Sequence, residues 1–92
     1  VGAFIKRYPN LEGVIIWNEP NLAFEWGYQE VSPEDYAHLL EVVYPVAKEA
    51  NSNTLILGGA LAPTREPEGS PHGLNDLLYL ERFLRAGGAQ HM

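Results

Sequence analysis

The chain of 92 residues has no cysteine, one methionine, and six basic residues against twelve acidic ones. Without cysteine there is no disulfide framework and no thiolate metal site. The lack of cysteine leaves the compartment open. A net charge of −6 disfavours nucleic acid and anionic membrane as partners. It suits a neutral ligand without requiring one. No apolar run approaches the ~18 residues that span a bilayer, and no secretory leader is visible. His38 lies beside an apolar helical face and reads as a surface histidine. His72 has no second histidine or carboxylate at metal-ligand spacing. Nothing in the pattern points to a metal or an organic cofactor. The rest is ordinary: 46% hydrophobic and 20% charged residues describe a globular chain rather than a disordered one.

One stretch organises the others: Gly13-Val14-Ile15-Ile16-Trp17-Asn18-Glu19-Pro20-Asn21. It begins as a short β-branched run, the pattern of a buried strand. It then turns polar and is stopped by Pro20, which has no backbone N–H and keeps Glu19 out of a helix. An amide and a carboxylate therefore stand side by side where a strand leaves the core. In α/β proteins ligands collect at the carboxyl ends of parallel strands. Neighbouring strand residues face opposite ways. If Asn18 and Glu19 serve one ligand, the strand must bulge or end between them.

Around this stretch the sequence predicts two βα units. Val1–Tyr8 reads as the end of a helix, with Lys6 and Arg7 in its last turn, where cations suit the helix dipole. Leu11–Trp17 is the first strand. Asn18–Val31 is a long loop carrying Phe24, Trp26 and Tyr28. Phe24 reads as sealing the mouth of the fold; Trp26 either does the same or offers its ring face to a ligand. Ser32-Pro33-Glu34-Asp35 is a helix start, followed by apolar positions at Tyr36, Leu39, Leu40, Val43, Ala47 and Ala50. Their phase runs through Pro45, so one bent helix is expected. Leu55–Gly58 is a second strand, too short and apolar to be an exposed one, and Gly58-Gly59 permits close backbone approach or a bulge. Strand, helix and strand in this order give parallel strands with a right-handed crossover.

Ala60–Gly73 is a second long loop on the same side of the sheet. Its Thr64, Arg65 and Glu66 are either substrate contacts or part of a solvated turn. Asn75–Ala86 is a second helix, capped by Asn75 and closed by Gly87-Gly88, with Leu77, Leu80 and Leu84 as the expected buried stripe and Phe83 beside it. A further strand is expected to start at Ala89–Met92. There is no internal repeat beyond the two units, no low-complexity run and no linker.

Trp17-Asn18-Glu19-Pro20-Asn21 at the end of an apolar strand resembles the signature of clan A glycoside hydrolases. The downstream order, Leu22 to Trp26, a helix, then Leu57-Gly58-Gly59-Ala60, is similar to their cellulase-like and family 39 (β-xylosidase-like) branches. The resemblance implies an α/β fold, a (β/α)8 TIM barrel, of which residues 1–92 form a single incomplete segment covering about the fourth and fifth βα units. It implies a retaining β-glycosidase in which Glu19 is the general acid/base and Asn18 hydrogen-bonds the sugar 2-hydroxyl. Trp26 is the candidate sugar contact, and Trp17 is a packing residue behind the site.

Such barrels have ~250 residues, and no residue here fits the second carboxylate, which the resemblance places at the end of a later strand. Glu25, Glu30, Glu66 and Glu68 all lie in loops. The segment is therefore expected to be an internal piece of a longer protein, inactive alone, with a carbohydrate substrate. Two other readings stay open: a barrel that binds carbohydrate without cleaving it, and a structural fragment without activity. Bare strand edges would then be covered by the rest of a barrel or by self-association.

Overall fold

The strand–helix–strand order forms as the sequence indicates. In a computed structural model describing residues 1–92, the elements are α1 (Gly2–Arg7), β1 (Gly13–Ile16), α2 (Pro33–Ala50), β2 (Leu55–Gly58), α3 (Asp76–Arg85) and a 3-10 turn at Gly88–His91. β1 and β2 pair in parallel, from Gly13 opposite Leu55 to Ile16 opposite Gly58. The chain is an α/β protein with a two-stranded parallel sheet.

The helix ends follow local chemistry. The Ser32 hydroxyl accepts a bond from the Asp35 N–H at 3.1 Å, and Glu34 and Asp35 lie in the first turn of α2, where carboxylates suit the dipole. α2 is one uninterrupted helix through Pro45. The Asn75 side chain accepts from the Leu77 and Leu78 N–H groups at 2.9 and 3.3 Å. Gly87 follows α3 at φ +82°, the left-handed conformation that ends a helix at low cost only for glycine.

One core joins the helices to one face of the sheet. Ile5 of α1, Ile16 and Ile56 of the strands, Tyr36, Ala37, Leu40 and Ala47 of α2, and Tyr79 and Phe83 of α3 pack together with Leu74. The other face is bare: Ile15 is 65% and Leu55 60% exposed, and Leu57 is exposed beside them. β2 is thus not the buried strand its composition suggests. A strand has two faces, and the helices of this chain cover one.

Three further expectations are corrected. β1 is shorter than Leu11–Trp17, because Trp17 leaves the extended conformation at φ +74°. The buried row of α3 is Tyr79 and Phe83, not Leu77, Leu80 and Leu84; Leu77 is 72% exposed. The two rows are one residue apart, about 100° around the helix, so either can face inward. The aromatic row prevails: Phe83 packs on Tyr36 with ring centroids 5.6 Å apart, and Gly88 leaves room for its ring. Finally, Ala89–Met92 begins no strand. Gly87 folds the chain back, the Gln90 N–H bonds the Gly87 carbonyl at 3.1 Å, and His91 lies edge-on to Tyr44 at 6.1 Å. No helix is long and apolar enough to cross a membrane.

Candidate active site

The strand ends before the polar pair, which resolves the question of facing. Trp17 at φ +74° and Glu19 at φ +41° both take the left-handed conformation, with Asn18 between them. The alternation of a strand therefore does not extend to Asn18 and Glu19. A non-glycine residue in this region costs on the order of 1–2 kcal/mol, so the surroundings must hold it. The Glu19 N–H donates to the Ala60 carbonyl at 3.0 Å. Gly59 lies against the Trp17–Asn18 backbone, where a Cβ would come within 2.9 Å of the Trp17 carbonyl oxygen. Close backbone approach is thus what Gly59 supplies.

A tyrosine ties the two strand ends together. The Tyr36 hydroxyl donates to the Ile16 carbonyl at 2.5 Å and accepts from the Gly59 N–H at 2.7 Å. Burial pushes this phenol upward from its ordinary pKa, and the Gly59 bond opposes the shift. It stays a neutral donor across physiological pH.

Asn21 ties the two long loops. It is fully buried. Its side-chain N–H group donates to the Ala62 and Leu74 carbonyls at 2.8 and 3.1 Å, and its side-chain oxygen accepts from the Ala62 N–H at 2.8 Å. Its own carbonyl accepts from the Leu74 N–H at 2.9 Å, and Ala23 N–H donates to the His72 carbonyl at the same distance. Leu22 and Gly73 form an antiparallel bridge, at which a Cβ on Gly73 would approach the Asn21 carbonyl to 2.6 Å. The Asn18–Val31 loop is thereby zipped to the Ala60–Gly73 loop, beginning two residues after Glu19.

The expected site residues are only partly brought together. Asn18 is exposed and Glu19 partly so. The side chains of both are left unengaged by the hydrogen bonds and ion pairs within the chain, and neither lines one of the larger clefts. Trp26 sits elsewhere, in an aromatic row. It meets Trp17 edge-on at 5.4 Å and Tyr36 at 6.1 Å. Trp17 donates its indole N–H to the Glu25 carbonyl at 2.9 Å. Both tryptophans line a groove of about 460 Å3 against α2, whose lining includes neither Asn18 nor Glu19. Phe24 is exposed rather than sealing anything.

The second loop is held by its own contacts. The Thr64 hydroxyl accepts from the Glu66 N–H at 3.3 Å, and the Ser70 hydroxyl donates to the Glu66 carboxylate at 2.6 Å. At its outer end Arg82 of α3 donates to both oxygens of Glu34, at 3.1 and 2.5 Å, and to Glu68 at 3.3 Å. The guanidinium holds the Glu34 carboxyl below its usual range, and Glu34 raises Arg82. No group of three or more histidine and acidic side chains converges as a metal site. His38 is a surface residue 3.7 Å from Glu41.

Sequence reasoning missed what Asn21, the Tyr36 hydroxyl and Gly73 do. Asn21 stands in the sequence only as the last residue of the Trp17–Asn21 signature, with no sign of its burial. Tyr36 announces itself only as an apolar helix position. In comparisons with protein-family models, curated proteins and solved structures, nothing matches this chain.

Proposed function

We propose that the chain is part of a retaining β-glycosidase built as a (β/α)8 barrel, with Glu19 as general acid/base and Asn18 as the partner of the sugar 2-hydroxyl. The observation that carries this reading is the turn at the carboxyl end of β1. Two non-glycine residues are held left-handed on either side of Asn18, and strain of this kind concentrates at functional sites. The turn frees an amide and a carboxyl from strand alternation and leaves both side chains available to a ligand. The bare sheet face of Ile15, Leu55 and Leu57 supports the barrel reading, because the inner face of barrel strands is covered by side chains of the other strands.

The chemistry follows from the two groups. Glu19 gives its proton to the glycosidic oxygen as the bond to the anomeric carbon breaks, then takes a proton from water in the second step. Asn18 strengthens its bond to the 2-hydroxyl as positive charge develops on the ring, so it acts on the rate more than on binding. A second carboxylate ~5–5.5 Å from the first must attack the anomeric carbon. This chain offers none at a strand end, so turnover requires the rest of the barrel. Trp17 packs behind the turn, with the candidate sugar contact Trp26 edge-on to it at 5.4 Å.

Leaving-group dependence tests the role of Glu19. In the protein that contains this segment, Glu19→Gln should slow hydrolysis of alkyl β-glycosides by about 10²–10⁴-fold. Dinitrophenyl β-glycosides, whose leaving group needs no proton, should lose far less in the bond-breaking step. Equal losses on both substrates would remove Glu19 from the acid role. The 92-residue chain by itself should turn over neither.

A further inference from the structure

A cleft of about 310 Å3 lies between the two runs of chain that lead into α2 and α3. Residues from Tyr28 to Val31 line it from the first loop, residues from Glu68 to Leu74 from the second, and Arg82 joins them from α3. Both runs belong to this chain. Neither Asn18 nor Glu19 lines the cleft. Much of its polar chemistry is unspent. The side chains of Gln29 and Glu30 enter no hydrogen bond or ion pair within the chain, and the Glu68 carboxylate accepts only from Arg82, at 3.3 Å. The backbone N–H and carbonyl groups of Glu30, Val31, Glu68 and Gly69 are bonded to nothing in the chain. Tyr28 stands beside these groups with no packing of its own: it is 86% exposed. Its backbone is left-handed at φ +58°, straight after Gly27 at +71°, a conformation that is costly for a residue with a Cβ. The Tyr28 N–H holds it there by donating to the Ala23 carbonyl at 2.8 Å. A strained backbone that presents a bare aromatic ring is a feature of ligand clamps rather than of cores.

We propose that this cleft is a second carbohydrate site, in which Tyr28 stacks on the C–H face of a neutral sugar and Gln29, Glu30 and Glu68 take its hydroxyl protons. The free side-chain groups decide the ligand. Ionised carboxylates only accept hydrogen bonds, and an amide both accepts and donates, so the ligand must bring several O–H donors. Three carboxylates, Glu30, Glu34 and Glu68, surround one guanidinium, which repels an anion. A cation is served little better. Glu34 and Glu68 are already engaged by Arg82, whose raised pKa, due chiefly to Glu34 with Glu68 and Glu30 adding, keeps it charged. No group of acidic and histidine side chains converges on a metal. A neutral polyol meets neither repulsion, and a sugar adds the apolar ring face that an exposed tyrosine can cover. The volume is at the lower end of the ~300–1,000 Å3 of small-ligand sites, so the cleft takes the end of a sugar chain rather than its length. This goes beyond the glycosidase reading and does not need Glu19. Gly73 and Leu74, which line the cleft, also belong to the zip beside Asn21, so a sugar held here is tied to the loop that carries Glu19.

The test is a titration of the nitrogen-15-labelled chain with cello-, xylo- and manno-oligosaccharides, followed by amide chemical shifts. At least one of the three should bind at about millimolar strength, move the amides of Gln29 to Val31 and of Glu68 to Ser70 together, and bind equally well when salt is raised, because the ligand carries no charge. Tyr28→Gly should weaken this binding by about tenfold or more. The same variant should unfold in urea no earlier than the parent, since glycine takes a positive φ without strain. Tyr28→Phe, which keeps the ring, should stay within about threefold of the parent, and Glu30→Ala should lose about threefold or more. Failure of all three sugars at tens of millimolar would overturn the proposal. So would shifts confined to Trp17–Asn21, which would place the sugar at the Glu19 turn and leave the glycosidase reading standing without this site. Binding of lysine amide in place of the sugars, lost in salt, would make the cleft a cation site and equally overturn it. A Tyr28→Gly chain that loses stability but not affinity would make Tyr28 a structural residue and remove the stacking role.

Discussion

Asn18 and Asn21 are three positions apart on the same turn and have opposite fates. Asn18, with Glu19 beside it, presents a side chain that nothing else in the chain engages. Asn21 is fully buried, and its side chain makes two hydrogen bonds to Ala62 of the second loop and one to Leu74 just after it. The contrast separates side chains left free at the turn from a side chain that holds the turn in place. Glu19 can occupy a strained conformation because Asn21, Gly59 and Ala60 fix the backbone around it. The motif is thus two devices in five residues: a display and an anchor.

Removing the anchor should have the largest effect. Asn21→Ala leaves the buried Ala62 N–H and the Ala62 and Leu74 carbonyls without their partner, and should lower unfolding stability by about 3–5 kcal/mol. Chains of this size have only ~5–14 kcal/mol in total. Asn18→Ala and Glu19→Gln should each stay within about 0.5 kcal/mol of the parent in urea unfolding. If Asn18→Ala were as damaging as Asn21→Ala, the division between display and anchor would be wrong.

Next in size is Gly73→Ala, whose Cβ would meet the Asn21 carbonyl oxygen at 2.6 Å. Backbone cannot yield as a flexible side chain can, so a loss of about 2–3 kcal/mol is expected. Ala at Gly69, where no atom lies within 4 Å of a Cβ but φ is +87°, should show only the backbone strain, about 1 kcal/mol. A Gly73 variant no worse than the Gly69 one would mean that the two loops are not closely zipped.

Tyr36→Phe sharpens the comparison from the strand side. It removes the bridge between Ile16 and Gly59 while keeping the ring in its aromatic row, and should cost about 1–2 kcal/mol. Amide exchange at Gly59 should quicken in the same variant; unchanged exchange there would leave the hydroxyl without the role assigned to it.

The smallest effect belongs to the outer tie of the same loop. Arg82 and Glu34 are both partly exposed, so their pair should contribute about 0.5 kcal/mol. The folded Glu34 carboxyl is held below its ordinary value of 4.5. Its contribution is therefore present above that value and fades as pH falls through the lower folded one. Arg82→Ala should lower stability by about 0.5 kcal/mol at neutral pH, cost nothing where Glu34 is protonated, and so flatten the acid limb of a stability-against-pH curve slightly. A large loss at neutral pH would make Arg82, rather than Asn21, the anchor of the second loop.

Several elements were legible in the sequence for reasons that are local. Ser32-Pro33-Glu34-Asp35 starts a helix because a cap, a fixed φ and two carboxylates all favour the same end. Leu55–Gly58 is a strand in the structure as it is in the pattern. Gly58-Gly59 marks a close approach because only glycine leaves that space. Glu19 and Asn18 stand out because polar residues at the end of an apolar strand have nothing local to do.

What the sequence determined by itself was therefore the order of elements, the helix starts, the parallel α/β arrangement and the two side chains offered at the end of β1. These rest on periodicity, capping and backbone limits that act within a few residues. The tertiary structure alone decided which row of α3 faces inward, which face of the sheet stays bare, and that Asn21 and Tyr36 hold the turn. Each of those is a choice between nearly equal local alternatives, settled by contacts with residues 20 or more positions away in the chain, to which no local pattern is sensitive.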